Sequence, residues 1–147
     1  MAEVGGAGGR LVPVASAEVL GLLAMVQVGR VGFVHRGLPA IQVVAHVVDD
    51  GEVVFRSHGR PPVVPPDQAR GAVIVYEADD IDPVALTGWR VSVTGAAEIV
   101  RRPRQVARLD GMLPKWPPGN DGGMLVRLVP GLLSGYRFAG PEERPAR

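Results

Sequence analysis

Two runs of β-branched residues joined by an Asp-Gly turn constrain this chain more than any other feature. The first run covers residues 38–48 and the second residues 52–59, with Asp50 and Gly51 at the turn between them. An Asp-Gly pair between alternating apolar runs is the strongest short-range signal for a β-hairpin. The sequence therefore predicts two long antiparallel strands that meet at this turn.

A two-residue turn also sets the register of this hairpin. It pairs Asp49 with Glu52 and places His46 opposite Phe55. Side chains alternate between the two faces of a strand, so Gln42, Val44, His46 and Val48 share one face and Ile41, Val43, Ala45 and Val47 share the other. We expect the wholly apolar face, together with Val91 and Val93 of a later strand, to form the core. We expect the mixed face, which carries an amide and an imidazole, to meet a ligand.

The rest of the chain alternates short strands with turns, which is typical of an antiparallel sheet or barrel. Helices are expected from Ser16, which can cap a helix running to Gln27, and from Pro103, which suits a first helical turn. Further strands are expected at residues 28–35, 71–77 and 89–100, and a closing hairpin at 124–138, split by Pro130-Gly131. The count is about seven strands and two or three helices.

The length of 147 residues fits one domain with a well-buried core. We assign residues 1–15 to a flexible N-terminal tail, 16–138 to the domain and 139–147 to a flexible C-terminal tail. Inside the domain, the proline-rich stretch 60–70 is expected to be a surface crossover loop, and 78–88 an acidic loop.

Composition excludes several classes of function. Sixteen basic and fifteen acidic residues leave a net charge of +1, which argues against a nucleic-acid partner or an acidic membrane partner. The chain has no cysteine, so disulfides and thiolate chemistry are excluded. The N-terminus lacks a signal-peptide pattern, and no apolar run reaches the roughly 20 residues of a membrane span. We therefore expect a cytoplasmic protein.

Motifs for metal binding and for nucleophilic catalysis are weak. The spacing of His35, His46 and His58 matches no zinc pattern, so we expect no metal site. We expect His46 to be a buried or pocket-lining residue that bonds a neighbour, and the other two histidines to be solvated near turns. The segment Gly131 to Gly135 has the wrong spacing for a nucleophile elbow.

One cluster suits a phosphate group. The run Arg56-Ser57-His58-Gly59-Arg60 ends a predicted strand with a hydroxyl group, a glycine and two guanidinium groups. Arginine makes bidentate charge-assisted hydrogen bonds to phosphate, and glycine allows close approach of the backbone. A strand end decorated with ordinary surface arginines is an equally good interpretation of the same residues.

Five blocks in order resemble the pyridoxamine 5'-phosphate oxidase-like family, the flavin-binding split barrels. The resemblance covers residues 16–138, and the blocks are Leu20 to Phe33, Leu38 to Ser57, Tyr76 to Asp82, Thr87 to Gly95, and Val126 to Pro130 with Ser134-Gly135. It implies a mainly β protein, a homodimeric antiparallel split β-barrel with flavin mononucleotide (FMN) at the dimer interface. Trp89 or Trp116 is then expected near that interface.

The same resemblance implies which residues bind the cofactor. Those along the flavin ring and ribityl chain would be Gln42, Val43, Val44, Ala45 and His46, and those that flank the cofactor Phe55, Arg56 and Ser57. In relatives a lysine that opens a helix follows this strand. Here Arg60 precedes Pro61 and Pro62, so Arg60 takes the place of the phosphate-binding lysine. Arg90 is expected to make a polar contact to the flavin.

Two functions from different classes follow. The first is an FMN-dependent oxidoreductase acting on a small-molecule substrate, which Arg56, Ser57 and Arg90 favour. The second is a non-catalytic dimeric barrel that binds a flavin, a deazaflavin, a haem-derived cofactor or a hydrophobic small molecule, or that holds no cofactor. The proline-rich residues 60–66 favour the second, because they replace a helix N-terminus that would cradle phosphate.

Overall fold

The computed structural model describes residues 8–66, 71–119 and 123–141. In this part of the chain seven strands and two helices follow one another as β1 (Arg10–Pro13), α1 (Ser16–Leu23), β2 (Val28–His35), β3 (Leu38–Asp49), β4 (Glu52–Arg56), β5 (Val73–Ile81), β6 (Gly88–Ile99), α2 (Pro103–Met112) and β7 (Leu125–Ala139). The mainly β fold expected from the sequence is confirmed. No described helix is long and apolar enough to cross a membrane.

All strand pairs are antiparallel, and the sheet closes on itself. The strand order is β1-β7-β4-β3-β2-β5-β6, and a further pairing between β6 and β7 joins the two sides into a barrel. β7 makes this closure because residues 125–128 pair with β4 while residues 126–138 pair with β6. Closure satisfies the backbone groups that an open edge strand would leave unpaired.

The predicted hairpin is confirmed, with its register. Asp49 pairs with Glu52 and His46 with Phe55. Asp50 and Gly51 both have positive φ angles, 50° and 75°, as a two-residue turn of type I′ requires. Aspartate and glycine tolerate this backbone conformation, so the turn residues and the register agree.

The predicted core face of β3 is wrong for Ile41 and Val43, whereas Ala45 of that face is buried and Val47 packs against a second core cluster. Ile41 is 73% exposed and Val43 is 41% exposed, whereas Val44 and His46 of the opposite face lie in the barrel interior. Curvature of the sheet decides which face is inside, and the alternation of one strand does not contain that information. The expectation for Val91 and Val93 is confirmed, since both are buried.

The two helices cover different parts of the barrel. α1 closes one end, where Val19, Leu22 and Leu23 join the main core. α2 lies on the outer face of β4 and β7, where Leu109 packs with Val54 in a second, smaller core. The outward-facing side chain of Val54 on β4 is therefore buried and Val47 of β3 packs against the same core, whereas Ile41 and Val43 of β3 and the outward-facing valines of β5 are left exposed.

Several boundaries differ from those expected from the sequence. β1 lies inside the segment 1–15 predicted to be a tail, and it pairs with β7. β5 continues to Ile81, into the predicted acidic loop. β7 is one strand instead of a hairpin, because the register shifts between Thr94 and Gly95 and lets the strand pass Pro130 without a turn. Residues 1–7 and 142–147 of the predicted tails lie outside the described residues.

The proline-rich loop was expected to lie on the surface, but two of its residues are buried. Val63 and Val64 are both buried and belong to the main core. Residues 67–70 of the predicted loop lie outside the described residues. The middle of the described part of the loop is therefore packed against the core of the barrel.

Two neighbouring valines of β3 test which face is inside. We expect Val44→Asp to abolish cooperative unfolding or lower the melting temperature strongly, because a carboxylate without a partner in the core costs several kcal/mol. We expect Val43→Asp to stay folded, since its side chain points outward. Thermal denaturation followed by circular dichroism compares them, and loss of folding in Val43→Asp alone would contradict the assignment.

Candidate functional site

The centre of the barrel holds a buried polar pair. His46 of β3 and Tyr76 of β5 meet with the phenolic oxygen 2.5 Å from Nδ1 of the imidazole. Nε2 of the same ring lies 2.9 Å from the backbone oxygen of Leu23, at the end of α1. Both ring nitrogens are therefore bonded inside the protein, and His46 offers no side-chain atom to a ligand. The expectation that His46 is a buried residue bonding a neighbour is confirmed.

These contacts define the protonation state of His46. A backbone oxygen only accepts, so Nε2 carries the proton and donates it to Leu23. Nδ1 of the neutral ring then accepts from the Tyr76 hydroxyl group. Burial lowers the pKa of His46 below its usual range, and burial raises the pKa of Tyr76. Both groups are uncharged at neutral pH, as a buried pair without a counter-ion requires.

Tight packing around Tyr76 explains one glycine in the sequence. A Cβ atom built on Gly29 of β2 would lie 2.5 Å from the Tyr76 hydroxyl oxygen, too close for any side chain. On its other side the Tyr76 ring stacks on Phe55, with ring centroids 5.7 Å apart. The ring of Tyr76 is thus enclosed by β2, β4 and its own strand.

Beyond the end of β4 the chain folds back against β3. Nε2 of the Gln42 amide donates to the backbone oxygen of Pro61 over 2.9 Å, and the amide oxygen accepts from the backbone N–H of His58 over 3.3 Å. The His58 imidazole nitrogen Nε2 lies 2.7 Å from the backbone oxygen of Val43. Three hydrogen bonds therefore tie residues 58–61, which we call the strand-end loop, to β3. His58 is tied to the barrel, whereas the sequence predicted a solvated side chain.

The predicted phosphate-binding residues differ in how accessible they are to a ligand. Gly59 has a φ of 67°, and no atom of the described residues other than its chain neighbours lies within 4 Å of where its Cβ would be, so open space adjoins its backbone in this part of the structure. Arg60 next to it is exposed. Ser57 is buried, and its backbone N–H donates to the oxygen of Met124. The accessible groups beside the open space are Gly59 and Arg60.

Arg56 belongs to a different surface. Its guanidinium group forms an ion pair with Asp110 of α2, on the outer side of the barrel. These two residues, with Lys115 and Trp116, line a cavity of about 480 Å³. The Arg56 charge is therefore already paired with a carboxylate.

Apart from Arg56, the predicted site residues fall into three groups. Gln42, Val43 and Arg60 lie at the strand-end loop or border it. Those that are buried are Val44, His46, Phe55 and Ser57 on the inward-facing side of their strands and Ala45 on the outward-facing side of β3. Arg90 lies on β6, which β2 and β5 separate from β3 in the sheet order, and its side chain is exposed.

Sequence reasoning missed the partners that complete these contacts. Tyr76 begins one of the five sequence blocks, but its bond to His46 appears only when the fold brings β5 and β3 together in the interior. Pro61 accepts a hydrogen bond through its backbone, which no side-chain pattern encodes. Asp110 reaches Arg56 because α2 packs on β4, and a contact between residues so distant in sequence leaves no local signal.

The profile of the pyridoxamine 5'-phosphate oxidase family matches residues 15–137. The uncharacterized protein Rv0080 of Mycobacterium tuberculosis is 40% identical over 131 residues, which cover 87% of this chain and 86% of that protein. The chain belongs to the pyridoxamine 5'-phosphate oxidase family. The resemblance inferred from five sequence blocks is thereby confirmed.

Solved structures share the fold of this family member. A protein of Corynebacterium glutamicum, provisionally assigned as a pyridoxamine 5'-phosphate oxidase, is 27% identical with a TM-score of 0.71, covering 90% of this chain and 96% of its own. The FAD-binding protein of Mycobacterium smegmatis is 23% identical with a TM-score of 0.64, covering 88% of this chain and 100% of its own. The split-barrel fold expected from the sequence is confirmed.

The buried imidazole makes a prediction about pH. Because burial lowers the pKa of His46 in the folded state, the unfolded chain binds a proton at higher pH than the folded chain does. This contribution to stability is complete above the ordinary histidine pKa near 6.5. It falls as the pH drops below that value, by at most about 1.4 kcal/mol per pH unit.

We expect His46→Gln to be less stable than wild type at pH 7.5 but to lose less further stability on going to pH 5. Urea denaturation at both pH values gives the two differences. The control His35→Gln removes a histidine without touching the buried pair and should keep the wild-type slope. An unchanged slope in His46→Gln would contradict the assignment.

Proposed function

We propose that this chain binds FMN as a homodimer and acts as a flavin-dependent oxidoreductase on a small-molecule substrate. The observation that carries the proposal is the open space beside Gly59 and Arg60 at the end of β4, in a chain of the pyridoxamine 5'-phosphate oxidase family. Neighbours of the same fold named as FAD-binding proteins, from Mycobacterium smegmatis and Mesorhizobium loti, support a flavin as the ligand.

The strand-end loop suits the phosphate of FMN. The positive φ of Gly59 and the space above it let a phosphate oxygen approach the backbone. Arg60 is exposed next to this space and can supply a bidentate charge-assisted contact. Arg60 has to bind the phosphate without backbone N–H groups from a helix N-terminus, because Pro61 and Pro62 have no N–H groups to donate.

The outer surface of β3 suits the flavin ring. Val43 is outward-facing and half exposed, and its backbone oxygen is held by His58 of the same loop. When bound, the flavin supplies the redox chemistry. The part played by this chain is to fix the ring against the outer face of β3 and to shield it from water.

A non-catalytic binding protein is the second candidate, and one observation favours it. His46 has both ring nitrogens engaged, so this residue is unavailable for proton transfer to a substrate. Absorbance spectra of the purified protein, followed by titration with FMN, a deazaflavin and haem, distinguish the ligands. Turnover of a bound flavin with an electron donor and acceptor distinguishes the enzyme from the binding protein.

The outer face of β2, β3 and β5 supports a homodimer. The outward-facing apolar side chains left exposed here are Val28, Val34, Ile41, Val43, Val73 and Val75. Several of them line an apolar depression of about 450 Å³. An exposed apolar surface of this kind on a sheet is typical of an interface.

Charges on the same face favour a second copy as the occupant. Arg30 lies 3.1 Å from Asp79 and 3.6 Å from Glu77, and Arg90 pairs in register with Asp79. A surface that carries both signs in equal number can match itself across a two-fold axis. Arg90 would then be an interface residue, and we propose that it reaches the flavin held by the other copy. Trp89 is buried in the core of its own chain, so of the two tryptophans only Trp116 remains at the surface.

Loss of the Arg60 charge tests the phosphate site. We expect Arg60→Ala to weaken FMN about ten- to hundredfold, the effect of losing one charge-assisted contact, and to leave riboflavin nearly unchanged because riboflavin has no phosphate. Isothermal titration of both ligands measures this difference. The control Arg104→Ala removes the same charge from the exposed side of α2. Equal weakening of both ligands, or no binding of either by wild type, would refute the proposed site.

A charge on the apolar face tests the dimer. We expect Ile41→Asp to convert the dimer to a folded monomer, because the carboxylate would be buried without a partner at the interface. The matched control is Val84→Asp, since Val84 is 91% exposed in the loop after β5 and is not one of the residues that line the apolar depression. Light scattering coupled to size exclusion gives both masses. A wild-type monomer at micromolar concentration would exclude the homodimer.

A further inference from the structure

We propose that Gln42 is a positioning residue that holds the strand-end loop in the shape that accepts phosphate, and that it is not itself a flavin ligand. The inference rests on the proposed flavin site and names the residue that sets the preference for a phosphorylated flavin. It differs from what the family resemblance implies for Gln42, which is direct contact with the cofactor.

The hydrogen bonds of Gln42 connect the two ends of the strand-end loop. Its amide donates to the oxygen of Pro61 and accepts from the N–H of His58, so one side chain bridges both ends of the loop that contains Gly59 and Arg60. An amide is suited to this bridge because it has a donor and an acceptor on adjacent atoms. Removal of either the donor or the acceptor of the amide breaks the bridge at one end.

The composition of the loop explains why a bridge is needed. Pro61 and Pro62 have no N–H group, so the loop cannot form a helical turn or a strand ladder through these residues. Gly59 is in the left-handed region and has the widest conformational freedom of any residue. Side-chain hydrogen bonds from β3 therefore supply order that the backbone of the loop cannot supply.

The Gln42 side chain points away from the surface proposed for the flavin ring. Gln42 shares its face of β3 with Val44 and His46, whereas Val43 points to the outer surface proposed for the flavin ring. The amide atoms are occupied at 2.9 and 3.3 Å by the loop. Gln42 thus affects the cofactor through the position of Arg60 and Gly59.

The test compares two flavins that differ by one phosphate. Gln42→Met keeps the length of the side chain and removes both hydrogen bonds without adding charge. We expect FMN to bind about tenfold more weakly than to wild type, as on partial loss of one charge-assisted contact, and riboflavin to change less than about twofold. The control Gln105→Met makes the same chemical change on α2 and should bind both ligands as wild type does.

A double variant makes the test sharper. If Gln42 acts only through Arg60 and its loop, Gln42→Met should weaken FMN much less in the Arg60→Ala background than in wild type. Full additivity of the two losses would overturn the proposal. Equal weakening of FMN and riboflavin by Gln42→Met would also overturn it, since that pattern indicates contact with the ring.

A measurement on the protein without ligand separates this proposal from the flavin proposal. Amide hydrogen exchange of the peptide containing His58 should be faster in Gln42→Met than in wild type and unchanged in Gln105→Met. No difference would show that the bridge does not order the loop and would overturn the proposal. A third outcome is that wild type binds neither flavin while Gln42→Met still exchanges faster than wild type. That outcome would refute the proposed function and the role of Gln42 in phosphate preference, but it would support the hydrogen-bonded bridge.

Discussion

The hydrogen-bonded pair of His46 and Tyr76 is the interaction on which the rest of the barrel depends. It joins β3 to β5 across the interior, and its second nitrogen reaches Leu23 at the end of α1. Every polar atom of the imidazole ring is satisfied, which a buried polar group requires. Because the two strands and the helix meet at one residue, the position of β3 relative to its neighbours is defined from inside the barrel. The outer side of β3 is then free to serve a ligand or a second chain.

Closure of the barrel determines which apolar residues become core and which become surface. β7 pairs with both β4 and β6, so the sheet curves until one face of every strand is enclosed. α2 covers the outer face at β4 and at the end of β3, where Val47 packs and Asp49 pairs with Arg108, but among the described residues no element covers the outer face at β2, at β5 and at Ile41 and Val43 of β3. The exposed valines and Ile41 on that face therefore need another explanation than packing within one chain. The proposed homodimer would supply one, and the ion pair of Arg30 with Asp79 shows that the same face carries both signs of charge.

The strand-end loop shows how a family fold can accommodate an unusual sequence. Prolines at positions 61 and 62 remove the N–H groups that a phosphate-binding helix would offer. What remains is the open backbone at Gly59 and the cation of Arg60, ordered by the side chains of Gln42 and His58. Recognition of phosphate would thus shift from a helix N-terminus to one arginine and a side-chain bridge.

The sequence by itself determined the strands β2 to β6, the two-residue turn at Asp50-Gly51, the hairpin register and the family, because turn chemistry, β-branched runs and ordered motifs are local properties. It also indicated that His46 is buried. Only the tertiary structure decided that Val44 faces inward and Ile41 outward, since the curvature of a closed sheet is a property of all its strands together. The same holds for the contacts of Tyr76 with His46 and of Gln42 with Pro61, which join residues far apart in sequence and depend on where the closed barrel places their strands.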